Sequence, residues 1–169
     1  MRTATAAIGT VAFAATVPAT VIGVLPRWLA RRSEPPPAPV VQRRIGSTLC
    51  ATGLPLVADA FLRFVRARGT PSPIAETEEL VVSGPYRWTR NPQYVGVVAT
   101  VTGLGLRWNS WPVLAYAVYL AVAFHLWVRG YEEPRLRARF GAAYEQYAVT
   151  VPRWPRPVPA GAPLQPHDG

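Results

Sequence analysis

Four apolar runs, separated by connectors dense in arginine and proline, constrain this chain more than any other feature of its sequence. The first, Thr3 to Leu25, carries no charge over 23 residues. As a helix it would be about 34 Å long, enough to cross the hydrocarbon core of a bilayer. Arg2 before an alanine-rich stretch also fits a signal peptide. The length of the run and the apolar character of the later segments favour a retained helix. Pro26 to Arg44 then forms a break holding SEPPPAP and five arginines, a connector that excludes regular helix. The second run, Ile45 to Phe64, is weaker, since it contains Pro55 and Asp59, and it ends in Arg63, Arg66 and Arg68. The third, Tyr94 to Leu106, is rich in Val and Gly and too short to span unaided. It meets the fourth, Val113 to Val128, through Arg107-Trp108-Asn109-Ser110-Trp111-Pro112. That sequence reads as a tight interfacial turn with two tryptophans at head-group level, making runs three and four a helical hairpin.

Beyond the runs, Pro134 to Val149 places Leu136, Phe140, Ala143, Tyr144 and Tyr147 at helical spacing among Arg135, Arg137 and Arg139. This predicts an amphipathic helix lying at the membrane surface. The expected fold class is therefore all-α: a polytopic membrane protein of about four transmembrane helices, with a helical hairpin and a C-terminal interfacial amphipathic helix. One domain is expected over residues 1–151, with its catalytic core at about 69–154, followed by a proline-rich disordered tail at 152–169.

Charge supports the membrane reading. All 18 basic residues are arginine and the formal net charge is +9. The arginines flank apolar stretches and do not line one amphipathic face, so membrane lipids are the expected partner and nucleic acid is not. Cys50 is the lone cysteine, which excludes an internal disulfide. His125 and His167 are too few and too far apart for a zinc motif, and no metal is expected. With four spans, Arg2, the Arg66 to Arg90 loop and the region after Arg129 share the cytoplasmic side. The five arginines of the first connector then lie outside, against the positive-inside rule.

Polar residues concentrate at the edge of run three, in GPYRWTRNPQY (Gly84 to Tyr94). Asparagine is a strong N-cap and proline is favoured at the first helical position, so Asn91 and Pro92 should open helix three. A helix N-terminus is also a seat for an anion, and Arg87 and Arg90 lie within a turn of it. At the far end of the hairpin stand Tyr131-Glu132-Glu133-Pro134. Adjacent carboxylates there are costly unless solvated or paired. His125, Arg129, Glu132 and Glu133 fall at spacings that share one helix face. The hairpin should bring this face to Arg87, Arg90 and Asn91, giving a mixed-charge pocket open to lipid. Asp59 lies one turn from Arg63 and reads as a paired interfacial charge.

The ordered pieces GPYR (Gly84 to Arg87), Arg90-Asn91-Pro92-x-Tyr94-x-Gly96, Glu132-Glu133-x-x-Leu136, Phe140-Gly141-x-x-Tyr144-x-x-Tyr147 and Val151-Pro152-Arg153 resemble the isoprenylcysteine carboxyl methyltransferase and phospholipid methyltransferase superfamily. The resemblance covers roughly the C-terminal half. It departs at Asn91, where the carboxyl methyltransferase branch has histidine and the phospholipid branch asparagine. Thr102-Gly103-Leu104-Gly105 invites comparison with a glycine motif of that branch, although Gly-x-Gly in such a helix is more often a packing feature.

The resemblance implies an integral-membrane enzyme moving a methyl group from S-adenosylmethionine to a lipophilic acceptor, either a prenylcysteine-like carboxylate or a lipid amine. Arg90, Asn91, Pro92, Tyr94, Glu132 and Glu133 would bind the cofactor. Arg87 or Arg153 would orient a carboxylate acceptor, and His125 or Tyr86 would serve as base for an amine. A small molecule or lipid-anchored acceptor and the cytoplasmic membrane of a bacterium, with the site facing the cytoplasm, complete the expectation. A related membrane reductase using a nicotinamide cofactor, and a non-catalytic scaffold, are the competing classes.

Overall fold

A computed structural model describes residues 18–33, 36–66 and 80–156, and every regular element among them is helical. A π-helical segment, Ala19–Val24, runs into α1, Leu25–Arg31. Next come α2, Val40–Arg66, then a 3-10 turn, Gly84–Arg87, and α3, Pro92–Arg107. A tight turn leads to α4, Trp111–Trp127. A second π-helical segment, Val128–Glu132, carries the chain without a break into α5, Glu133–Phe140, and α6, Ala142–Thr150, follows. Most of the first apolar run lies outside the described residues. Among the described ones, the continuous helix Trp111–Phe140 is the one long and apolar enough to cross a membrane.

The expected hairpin is present. Its turn closes with Ser110 N–H donating to Gly105 O at 2.9 Å, and Asn109 takes a positive φ of 50°, a conformation asparagine tolerates. Gln42 on α2 braces this turn by donating to Leu106 O and to Asn109 Oδ1, each at 3.0 Å. The core of the hairpin is Val101, Val113, Ala117 and Leu120, covered by Val21, Leu29 and Trp108.

The closest helix pair is α2 against α3. A Cβ on Gly46 would meet Gly103 O at 2.5 Å, and one on Gly53 would meet Thr100 Oγ1 at 2.5 Å and Gly96 O at 2.7 Å. The two glycines on each helix are seven residues apart, so an antiparallel crossing places Gly46 on Gly103 and Gly53 on Gly96. Small residues at this spacing let backbones touch. Gly103 is therefore a packing residue, as its sequence context suggested.

Two boundaries differ from the sequence expectation. The connector excluded from helix is short: residues 25–31 and 40–44 are helical, because proline is harmless in a first turn and Pro26 sits there. The second run forms one helix, α2, which continues through Pro55. The amphipathic segment after Glu133 is two helices, since Gly141 adopts φ 52° and ψ −126°, a conformation closed to side chains with a Cβ. Asp59 and Arg63 do pair, at 2.7 Å.

Candidate functional site

The turn before α3 is built by contacts with a segment the sequence assigned to a disordered tail. Residues 152–156 run across it as a strap: Arg90 N–H donates to Pro152 O at 3.0 Å, while Thr89 Oγ1 and Asn91 Nδ2 donate to Arg153 O at 2.8 and 3.1 Å. Residues 157–169 of the expected tail lie outside the described residues. Asn91 occupies the N-cap position, but its side chain makes no capping bond and is spent on the strap. Tyr86 is buried beneath, donating to Gln93 Oε1 at 3.1 Å and offering its carbonyl to the Tyr147 hydroxyl at 2.7 Å. Burial pushes the phenols of Tyr86, Tyr144 and Tyr147 upward, which keeps them neutral hydrogen-bonding groups.

Glu133 is the hub of the cluster. It is 2% exposed, and Arg153 grips it through two bonds, Nε to Oε1 at 2.6 Å and Nη2 to Oε2 at 2.7 Å. Arg90 Nη1 adds a contact at 3.1 Å and Arg137 Nη2 one at 3.6 Å. Such bidentate, charge-assisted pairing is what makes a buried carboxylate tolerable. Arg90 also donates to the Tyr144 hydroxyl at 3.0 Å, while its Nε is buried with no partner among the described residues.

Glu132, one residue earlier, faces a different group. Its Oε2 accepts from the Tyr94 hydroxyl at 3.0 Å, and Oε1 takes no hydrogen bond among the described residues. Glu132, Glu133, Arg90, Asn91, Tyr86 and Tyr144 border a small cavity of about 60 Å³, whose remaining walls include Leu80, Val81, Val128 and Leu136. Tyr94 also stacks on Phe124, with ring centroids 4.5 Å apart, and helps line a second, apolar cavity of about 440 Å³. That cavity lies between α3 and α4, walled by Val95, Val98, Ala121, Phe124, His125 and Trp154. Trp154 Nε1 donates to His125 Nδ1 at 3.0 Å. Tyr94 thus lines the larger cavity and reaches the smaller one only through its hydrogen bond to Glu132.

Of the residues singled out in the sequence, Arg90, Asn91, Tyr94, Glu132, Glu133 and Arg153 converge here. Pro92 is buried at the start of α3, and His125 lines the apolar cavity. Arg87 and Arg129 are exposed and make no hydrogen bond to the cluster. For Arg129 the reason is the π-helical stretch at 128–132. Its wider turn breaks the α-helical spacing that placed His125, Arg129, Glu132 and Glu133 on one face. Trp154 and Arg137 were not foreseen. The signal for Trp154 was its position directly after Val151-Pro152-Arg153.

The described residues thus form a helical bundle with one helix long and apolar enough to cross a membrane, carrying a buried ionic cluster beside an apolar cavity. A family model described as Phospholipid methyltransferase matches residues 41–143, and the chain belongs to that family. The match begins at the start of α2, well before the half that carried the sequence resemblance, and stops before the strap. No curated protein and no solved structure gives a significant match.

Proposed function

We propose that this membrane methyltransferase takes its methyl group from S-adenosylmethionine and delivers it to a lipophilic acceptor lying between α3 and α4. The observation that carries the reading is the Tyr94–Glu132 hydrogen bond, which joins a side chain lining the apolar cavity to a carboxylate bordering the smaller one. Family membership supports methyl transfer over the nicotinamide reductase or a scaffold.

The residues present suit the amino-acid end of such a cofactor. Glu132 Oε1 offers a free acceptor for an ammonium, and the orphaned Arg90 Nε offers a buried donor for a carboxylate. Glu133 is withdrawn from this role, because three arginines already occupy it and it acts as the brace of the pocket. When bound, the cofactor supplies a methyl group on a sulfonium, a good leaving group. The protein's share is alignment and exclusion of water. Phe124 and the aliphatic walls hold the acceptor's chain, and Tyr94 fixes its head at the polar boundary. For an acceptor that must lose a proton, the Tyr94 oxygen takes that proton as its own passes to Glu132. The run Thr3 to Leu25, α2, α3 and α4 supply the four spans of this reading. The site then faces the cytoplasm of a bacterial cell. Arg87 lies at the lipid surface as a head-group contact.

Calorimetry of S-adenosylmethionine on detergent-purified protein tests the proposal. Saturable binding in the wild type, weakened about tenfold or more in Glu132→Gln, is expected. Folded wild-type protein that shows no heat of binding would sink it.

A further inference from the structure

In the 440 Å³ cavity nearly every wall is hydrocarbon, and its polar atoms come from three side chains, Tyr94, His125 and Trp154. Two of those groups are committed. The Tyr94 hydroxyl donates to Glu132, and the Trp154 indole N–H donates to His125 Nδ1 at 3.0 Å. An indole nitrogen is a donor only, so Nδ1 must present its lone pair. The proton of the neutral imidazole therefore sits on Nε2, which has no partner among the described residues. An unpaired N–H on a side chain that lines an apolar cavity is costly until a ligand oxygen meets it.

We propose that Trp154 locks His125 as the Nε2–H tautomer, and that this N–H orients the acceptor by an oxygen on its polar head. Acceptors with a carboxylate, ester or other oxygen beside the reacting atom are then preferred over heads without one. This rests on the reading of the cavity as the acceptor site, and it removes His125 from the bases expected from the sequence. With Nδ1 accepting and Nε2 protonated, the ring has no lone pair to take a proton. Discrimination arises because a head without oxygen leaves the donor unpaired, the situation in which polar sites reject ligands most strongly.

The chain has two histidines, so a His167→Gln protein with nitrogen-15 histidine reports on His125 alone. At neutral pH in nanodiscs the spectrum should show a protonated Nε2 and an unprotonated Nδ1. Trp154→Phe should convert this to a mixture of tautomers. Adding methyl palmitate should shift the Nε2–H resonance, and hexadecane should leave it in place. A proton on Nδ1, a doubly protonated ring, or equal responses to ester and alkane would each overturn the proposal. Calorimetry of S-adenosylmethionine on the same sample separates this from the parent reading. Intact cofactor binding with an unlocked histidine removes the inference alone. A locked, ester-responsive histidine without cofactor binding keeps a lipid site and removes the methyltransferase chemistry.

Discussion

Glu133 shows how far a single residue can depart from the role its sequence context implies. The adjacent carboxylates were read as a pair acting together, yet one is saturated by arginines and the other is nearly free. Replacing Glu133 by Gln leaves Arg90 and Arg153 facing each other without compensating charge. Removing one partner of a buried ion pair costs about 3 kcal/mol or more. Glu133→Gln should therefore melt markedly earlier in a thermal scan in detergent. Glu132→Gln, which keeps a carbonyl oxygen to accept from Tyr94 and loses only its charge, should melt near the wild type while binding cofactor poorly. Equal melting points for the two would remove the division of labour. Spacing in the sequence could reveal that acids and arginines share this end of the molecule. Which acid meets which arginine could not be read, because it depends on the π-helical register at 128–132 and on the strap, neither of which leaves a periodic trace.

At the scale of elements, the contacts that matter most are the least conspicuous in the sequence. Tryptophans and arginines announced the hairpin of α3 and α4 correctly. The tighter pairing of α2 with α3 rests on glycines, and glycines in an apolar run have many uses. Only the matching seven-residue spacing on both helices identifies them, and matching requires knowing which helix faces which. Gly53→Ala should force the pair apart against the backbone of Gly96, at a cost of about 2 kcal/mol. Gly130→Ala meets nothing within 4 Å, so it should be neutral or stabilising by up to about 1 kcal/mol. Thermal unfolding of the two variants side by side checks the assignment. A similar loss at both positions would mean that glycine matters here for reasons other than helix contact.

The whole molecule joins three stretches that lie far apart along the chain: the turn at 84–91, the helix end at 125–133 and the strap at 152–156. The family match ends at residue 143, before the strap contributes Arg153 to Glu133 and Trp154 to His125. Proline density in that stretch argued for disorder, because composition reports local preference and is blind to a buried acid waiting elsewhere for a guanidinium. A chain terminated after Val151 should keep its helical content by circular dichroism and lose at least tenfold in affinity for S-adenosylmethionine by calorimetry. Unchanged affinity would reduce the strap to a surface ornament.

The backbone contact between α2 and α3 also settles where this molecule can bend. Two helices whose carbonyls approach each other's glycines, with only Val57, Cys50, Thr100 and the Arg107 stem filling the gaps, have little between them to rearrange, so they travel together as one plate. The space that a bulky guest needs lies on the other side of α3, where α4 is held off by rings and branched chains that can rotate. α4 continues into the one stretch of that long helix wound more loosely than the rest, at residues 128–132. Any widening of the apolar cavity therefore falls to α4 and that loosened turn, with the α2–α3 plate as the fixed side.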